Sequence, residues 1–89
     1  MQHSKIKIIN KLGLHARAAA KFVTLASQYQ SDVFLEYNEK KVNGKSIMGV
    51  MMLAASNGTV LTLIVDGPDE QQASDAIIEL VGNRFDEPT

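Results

Sequence analysis

The sequence predicts an α+β two-layer sandwich, in which a four-stranded antiparallel sheet carries three helices on one face. Two observations support this prediction. Segments in which apolar and polar residues alternate, as in half-buried strands, recur along the chain, and helical segments with a period of about 3.6 residues lie between them. Their order is β-α-β-β-α-β-α, which is typical of a sheet with its helices gathered on one side. At 89 residues the chain is expected to be a single domain, residues 1–89, with one core.

The first strand and the first helix are predicted from these two periods. Residues 4–9 place Ile6 and Ile8 on one side and lysines on the other, as a half-buried strand does. From residue 16 to about residue 28, apolar residues follow the i, i+3, i+4, i+7 spacing of an amphipathic helix. The buried stripe of this helix is predicted to consist of Ala19, Phe22, Val23 and Ala26.

A hairpin and a second, shorter helix are predicted next. Residues 32–37 alternate, and a polar turn then leads to a short strand around residues 41 and 42, so these two strands should pair. Ser46 is a favoured N-cap residue. The run 47–55 behind it is apolar nearly all round a short helix.

The last strand and the last helix follow a strong turn signal. Asn57-Gly58 is a dipeptide typical of tight turns, and residues 59–66 after it are mostly β-branched or leucine. Asp69, with Gln72 three residues later, matches a capping box at the start of the last helix. The buried face of that helix is predicted to consist of Ala73, Ile77, Leu80 and Val81.

Composition and charge argue against several classes of function. The chain has no cysteine, so it has no disulfide framework and no thiolate metal site, and neither a metal nor a cofactor is expected. No apolar run approaches the roughly 20 residues that span a bilayer, so we expect a cytoplasmic protein without membrane insertion. Nine basic and ten acidic residues are scattered along the chain, which argues against nucleic acid as a partner.

The stretch NKLGLHARAAA places a histidine where a loop containing glycine gives way to an alanine-rich helix. His15 and Arg17 stand at the helix start, where free backbone N–H groups and the helix dipole stabilise an anion such as phosphate. The same field disfavours a protonated imidazole, which leaves a neutral ring nitrogen that can attack phosphorus. A histidine in this position is also compatible with a purely structural role, because one side chain is a weak motif.

Several further segments extend this motif. They are Gly13-Leu14-His15-Ala16-Arg17, Ala19-Ala20, Phe22-Val23, Gly44-Lys45-Ser46-Ile47-Met48 and Asn57-Gly58-Thr59. With them the chain, from residue 6 to about residue 80, resembles the HPr family, the histidine-containing phosphocarriers of the bacterial phosphotransferase system. The resemblance implies the HPr-like fold with sheet order 1-4-2-3.

The resemblance also implies a function and partners. An HPr-like protein is a stoichiometric carrier rather than a turnover enzyme: it would accept a phosphoryl group on Nδ1 of His15 from phosphorylated enzyme I and pass it to IIA domains in sugar uptake or its regulation. Arg17 would stabilise the phosphate through charge-assisted hydrogen bonds. We expect such a carrier to be a monomer.

Two positions bear on which branch of the system is served and on regulation. Ala18 stands where the family usually has proline. Alanine should preserve the chemistry while giving up rigidity, and it keeps open the alternative of a regulatory paralogue in the nitrogen-related phosphotransfer chain. Ser46 lies in a Lys-Ser-Ile-Met context, in which the family's serine can be phosphorylated by HPr kinase/phosphorylase, so the resemblance implies a regulatory site there.

The second predicted helix carries more apolar surface than a short helix can bury. Val50 and Leu53 are expected in the core, whereas the flexible methionines suit an exposed surface that must fit several partners. The resemblance implies that enzyme I and IIA domains bind this surface together with part of the first helix. We call this set the docking patch: Ala20, Thr24, Ile47, Met48 and Met51.

A different class of function stays open on the residues alone. The chain could be a ferredoxin-like module that binds a small ligand, in which His15 merely caps its helix. An RNA-binding version would need aromatic stacking residues on the sheet, and only Phe34 and Tyr37 lie near one hairpin. The second histidine, His3, has no partner in any motif and is expected to be exposed and without a role.

Overall fold

The computed structural model describes residues 1–89 and contains four strands and three α-helices in the predicted order. The strands are β1 (Gln2–Lys7), β2 (Asp32–Tyr37), β3 (Lys40–Asn43) and β4 (Val60–Asp66). The helices are α1 (Ala16–Ala26), α2 (Ile47–Met52) and α3 (Glu70–Gly82). A short 3₁₀ helix, Arg84–Asp86, follows α3 and was not predicted. None of the helices is both long and apolar enough to cross a bilayer.

The four strands form one antiparallel sheet in the order β1-β4-β2-β3, which confirms the order that the resemblance implied. The inner strand β4 pairs with β1 on one side and with β2 on the other. Its alternate residues Leu61, Leu63 and Val65 are fully buried under the helices. On the other face, Lys5 donates a hydrogen bond to the Thr62 hydroxyl at 2.8 Å. The predicted two-layer α+β class is therefore confirmed.

The hairpin between β2 and β3 is also confirmed. Tyr37 pairs with Lys40, so only Asn38 and Glu39 form the turn. Both turn residues have positive φ, 52° and 67°, as the two-residue turns that match the twist of antiparallel strands require.

The core lies between the sheet and the helices. Each helix contributes a fully buried large side chain: Phe22 from α1, Val50 from α2 and Ile77 from α3. Ala18 is fully buried as well, although the predicted stripe of α1 did not include it. Val23, which the stripe did include, is only partly buried against the core.

Several element boundaries differ from the prediction. β1 covers residues 2–7 instead of 4–9, and α1 ends at Ala26 instead of near residue 28. The second helix ends at Met52 rather than continuing to residue 55, because Ala54 adopts a left-handed conformation with φ 51°. β4 begins at Val60, one residue later than predicted. These errors lie at element ends, where apolar periodicity gives the weakest signal.

The capping box predicted for α3 is wrong. Asp69 is the N-cap residue, but its side chain makes no capping hydrogen bond. Its carboxylate instead accepts hydrogen bonds from the backbone N–H groups of Gln30 and Ser31 at 3.0 Å. The Ser31 hydroxyl also donates to this carboxylate and is the largest cause that lowers the pKa of Asp69; the backbone bonds from Gln30 and Ser31 lower it further. The side chain therefore joins the start of α3 to the loop before β2.

Candidate functional site

His15 is the N-cap residue of α1. Its backbone is extended, with φ −74° and ψ 177°, and its carbonyl accepts a hydrogen bond from Ala19 N–H at 2.8 Å. The side chain is 29% exposed and makes no capping hydrogen bond. The backbone N–H groups of residues 16–18, in the first turn, are left without acceptors within the helix. His15 therefore stands at the N-cap position, as the structural alternative expected, but its imidazole makes no capping hydrogen bond.

The loop before His15 is fixed against the segment that joins α2 to β4. Gly13 has φ +69°, and a Cβ added there would lie 2.5 Å from the carbonyl oxygen of Ala55. Leu14 N–H donates to that same oxygen at 2.8 Å. This close backbone approach requires glycine at position 13, and it determines where the imidazole stands.

A carboxylate from the far end of the chain contacts the imidazole. Glu87 Oε2 lies 2.6 Å from His15 Nε2, and Glu87 Oε1 accepts a hydrogen bond from Asn10 Nδ2 at 2.9 Å. The Glu87 side chain is only 11% exposed, and Asn10 is fully buried. The Asn10 hydrogen bond is the largest cause that lowers the pKa of Glu87; the hydrogen bond and charge of His15 and the charge of Arg17 lower it further, whereas burial opposes the shift.

Sequence reasoning missed both Glu87 and Asn10. Glu87 lies 72 residues from His15 in the chain, and no motif or periodicity connects the two. Asn10 stands in the NKLGLHARAAA stretch, but an asparagine after a strand indicates only a turn or a strand end.

The 3₁₀ helix brings Glu87 back to the site. Its three residues, Arg84, Phe85 and Asp86, have φ values of 56°, 55° and 61°, a left-handed turn without glycine. The Phe85 side chain is fully buried in the core. Lys21 of α1 donates to the Phe85 carbonyl at 3.0 Å, and its ammonium lies 3.7 Å from the Asp86 carboxylate. Apolar burial and these polar contacts together hold an unfavourable backbone conformation.

Arg17 lies exposed at the start of α1 and forms no ion pair. It lines an open groove of about 410 Å³ between α1 and the end of α3, together with Ala20, Lys21 and Thr24 on one side and Leu80 and Asp86 on the other. The structure therefore places Arg17 and two residues of the docking patch along one groove. Its guanidinium is free to bind an anion at the helix start.

The α2 part of the docking patch is exposed, as expected: Ile47, Met48 and Met51 all face solvent. Val50 and Leu53 are buried, which confirms the division of this apolar run between surface and core. Two further apolar side chains that the prediction did not include, Leu12 and Met52, are also exposed. That partners bind this surface stays a prediction.

Ser46 is the N-cap residue of α2, as predicted. Its hydroxyl oxygen accepts a hydrogen bond from Gly49 N–H at 3.1 Å, and its carbonyl accepts one from Val50 N–H at 3.0 Å. His3 is exposed on β1, also as predicted. The chain contains no group of three His, Cys, Asp or Glu side chains that could hold a metal ion.

Comparisons with known proteins agree on one family. A family model described as "PTS HPr component phosphorylation site" matches residues 2–83. A phosphocarrier protein HPr from Cupriavidus necator is 59% identical over 90% of each chain. Another, from Neisseria meningitidis serogroup A, is 54% identical over 98% of each chain.

Solved structures agree with these relatives. The structure of HPr-C-His from Thermoanaerobacter tengcongensis superposes with a TM-score of 0.96 at 46% identity, over all of both chains. A structure described as an HPr dimer from the same organism has a TM-score of 0.79 at 47% identity and covers 98% of this chain and 100% of that one. Because similar proteins have been seen as dimers, the monomeric state of this chain stays a prediction.

Proposed function

We infer function from the premise that this chain belongs to the HPr family of the phosphotransferase system, whose members are phosphocarrier proteins. We propose that it accepts a phosphoryl group on Nδ1 of His15 from phosphorylated enzyme I and passes that group to IIA domains. The observation that carries the proposal is the position of His15: its partly exposed imidazole stands at the start of α1 and is not used as a cap.

The helix start supplies what a phosphoryl group needs once it is on the ring. The backbone N–H groups of residues 16–18 can donate to its oxygens. The positive end of the helix dipole contributes about 0.3–1 kcal/mol for each negative charge at such a place. Arg17, which is exposed and unpaired, adds a guanidinium that can bind two phosphoryl oxygens at once.

The docking patch is the surface that we propose for enzyme I and IIA domains. Its exposed methionines can adjust to different partners, and the groove along α1 extends it towards Arg17. Ser46 stands at the edge of this patch, at the start of α2, where the helix dipole favours negative charge. We therefore propose Ser46 as a regulatory phosphorylation site for an HPr kinase/phosphorylase.

Mass spectrometry after incubation with enzyme I and phosphoenolpyruvate tests the carrier function. We expect an adduct of one phosphate that is labile in acid and stable in base. The His15→Ala variant should keep the fold and form no adduct, whereas the matched variant His3→Ala, at the exposed histidine, should be phosphorylated normally. An adduct on His15→Ala would show that the site assignment is wrong.

Two further arms of this experiment address Arg17 and the partner. Arg17→Lys should still form the adduct but more slowly, because an ammonium cannot bind two phosphoryl oxygens in a fork; unchanged kinetics would exclude Arg17 from the mechanism. In the other arm, the phosphorylated protein is mixed with a sugar-permease IIA domain or with a nitrogen-related IIA domain. The domain that is phosphorylated faster identifies the branch.

A further inference from the structure

We propose that Glu87 is a positioning residue for phosphoryl transfer: its carboxylate holds His15 in the tautomer that carries the proton on Nε2 and leaves the electron pair of Nδ1 free to attack phosphorus. This inference rests on the proposed function, because it assigns Glu87 a part in the same reaction. It goes beyond that function by explaining which ring nitrogen is the nucleophile.

The contact between the two side chains specifies the tautomer. Glu87 Oε2 and His15 Nε2 are 2.6 Å apart, within hydrogen-bond distance. An ionised carboxylate can only accept hydrogen bonds, so Nε2 must be the donor and must carry the proton. In a neutral imidazole the other nitrogen, Nδ1, then holds the electron pair.

The carboxylate is kept ionised and in place by a second contact. Asn10 Nδ2 donates to Glu87 Oε1 at 2.9 Å and to the Gly13 carbonyl at 2.8 Å. Turning this buried amide over would place its oxygen against both acceptors, so only one orientation of Asn10 fits. In this orientation Asn10 Oδ1 is buried without a hydrogen-bond partner, which costs free energy. The loop before His15 therefore holds both the imidazole and the carboxylate that contacts it.

The chain segment that carries Glu87 is anchored independently of this contact. Phe85, two residues earlier, is fully buried, and Lys21 donates to its carbonyl at 3.0 Å. The neighbouring carboxylate of Asp86 points instead to Lys21, at 3.7 Å, and is largely exposed. Of the two adjacent carboxylates, only that of Glu87 contacts the imidazole.

The transfer step follows from this arrangement. The electron pair of Nδ1 forms the new N–P bond, while the bond between phosphorus and the phosphorylated donor breaks and its electron pair leaves with the donor. The ring gives up no proton, because Nε2 keeps its hydrogen. The positive charge that the ring gains is delocalised towards Nε2, where it faces the Glu87 carboxylate. In the onward transfer the N–P pair returns to Nδ1, and the ring is neutral again.

The experiment compares Glu87→Gln and Glu87→Ala with the matched variant Asp86→Asn, which removes one carboxylate from the adjacent residue. The tautomer of His15 is read from the ¹⁵N chemical shifts of histidine-labelled protein at pH 9, without any phosphate donor. In the same spectrum, the exposed His3 gives the ratio of the two tautomers for an unconstrained imidazole. The second readout is the rate at which phosphorylated enzyme I transfers its phosphoryl group.

We expect wild-type His15 to carry its proton on Nε2 to a greater extent than His3 does. Both Glu87 variants should move the His15 ratio towards that of His3 and slow phosphoryl acceptance about 10- to 100-fold, by analogy with the loss when the carboxylate that orients a metal-binding histidine is removed. Asp86→Asn, whose carboxylate does not contact the imidazole, should leave the tautomer ratio of His15 unchanged. Circular dichroism would establish that each variant is folded.

Two results would overturn the inference: an unchanged tautomer ratio in both Glu87 variants, or an unchanged rate despite a changed ratio. A wild-type protein that accepts no phosphate would overturn the proposed function instead. The two failures are distinguishable, because the tautomer measurement needs no phosphate donor.

Discussion

The starts of α1 and α2 differ in what the N-cap side chain contacts. At α2 the N-cap side chain, Ser46, accepts a hydrogen bond from Gly49 N–H three residues later. At α1 the N-cap side chain, His15, makes no such bond and contacts Glu87 instead, from 72 residues away. The start of α2 is completed locally, whereas that of α1 depends on the tertiary fold.

This difference shows what keeps a helix start available for chemistry. The Ser46 hydroxyl satisfies one of the free N–H groups of its helix, which steadies α2. Because the His15 side chain leaves the corresponding groups of α1 without a capping acceptor, they remain free to bind an anion. Four predictions test whether one start is local and the other long-range.

The largest expected effect comes from Phe85→Ala, which removes the anchor of the segment that carries Glu87. Truncating a fully buried phenylalanine should lower the free energy of unfolding by about 3–5 kcal/mol, measured by denaturant titration. Hydrogen exchange should increase in the loop before His15, while Gly49 N–H stays protected. The matched variant Ile78→Ala, at an exposed apolar side chain, should cost far less. Equal losses would contradict the anchoring role.

Ser46→Asp should weaken enzyme I binding about tenfold, which corresponds to about 1.4 kcal/mol. The added charge suits the start of α2, so the thermal midpoint should stay level or rise. Docking would have to desolvate the same charge at the edge of the docking patch, and that is costly. Calorimetry at two salt concentrations measures both effects, with Gln72→Glu on α3 as the charge control. Unchanged affinity, or unfolding, would refute this account.

Ser46→Ala should lower the free energy of unfolding by about 1 kcal/mol, the usual cost of losing a serine cap. No titratable group takes part in this cap, so the loss should be the same at pH 7 and at pH 4. His15→Ala should cost less than Ser46→Ala does, because the imidazole makes no capping bond. If the histidine variant lost more stability than the serine variant, the contrast between the two helix starts would not hold.

The smallest expected effect is the pH dependence that Glu87 adds. Its folded pKa is lowered, so its contribution to stability is complete above the ordinary glutamate pKa of about 4.5 and is lost as the pH falls through the lowered value. The difference in unfolding free energy between wild type and Glu87→Gln should therefore shrink on acidification. A difference that is constant between pH 7 and pH 3 would mean that the carboxylate adds nothing through its charge.

The same contrast explains which features could be predicted from the sequence. The order of elements, the Ser46 cap, the hairpin and the burial of Val50 and Leu53 depend on neighbours a few residues away, so periodicity and capping preferences were sufficient. The Asp69 capping box failed because Ser31, on another loop, competed for the carboxylate. Local patterns do not report such long-range competition.

The candidate site divides in the same way. His15 and Arg17 lie at a predictable helix start, and the family resemblance rests on the residues around them. The contact between Glu87 and Asn10 could not be predicted from the sequence. It depends on a left-handed turn, and none of the residues of that turn is a glycine that would indicate it. Residues such as Phe85 rarely adopt positive φ, and only its burial in the core, a property of the finished fold, favours that conformation here.

The fixed turn also determines how strongly Glu87 competes with other anions. Since Phe85 is held in the core two residues away, the carboxylate is confined near the imidazole, and its effective concentration there is at least in the millimolar range typical of short tethers. Dissolved acetate at micromolar concentrations therefore leaves this contact intact. An acidic side chain of a docked partner is tethered as well, so its effective concentration can match that of Glu87. The Glu87 carboxylate at Nε2 can thus be displaced by a carboxylate of a bound partner, whereas a dilute dissolved carboxylate does not displace it.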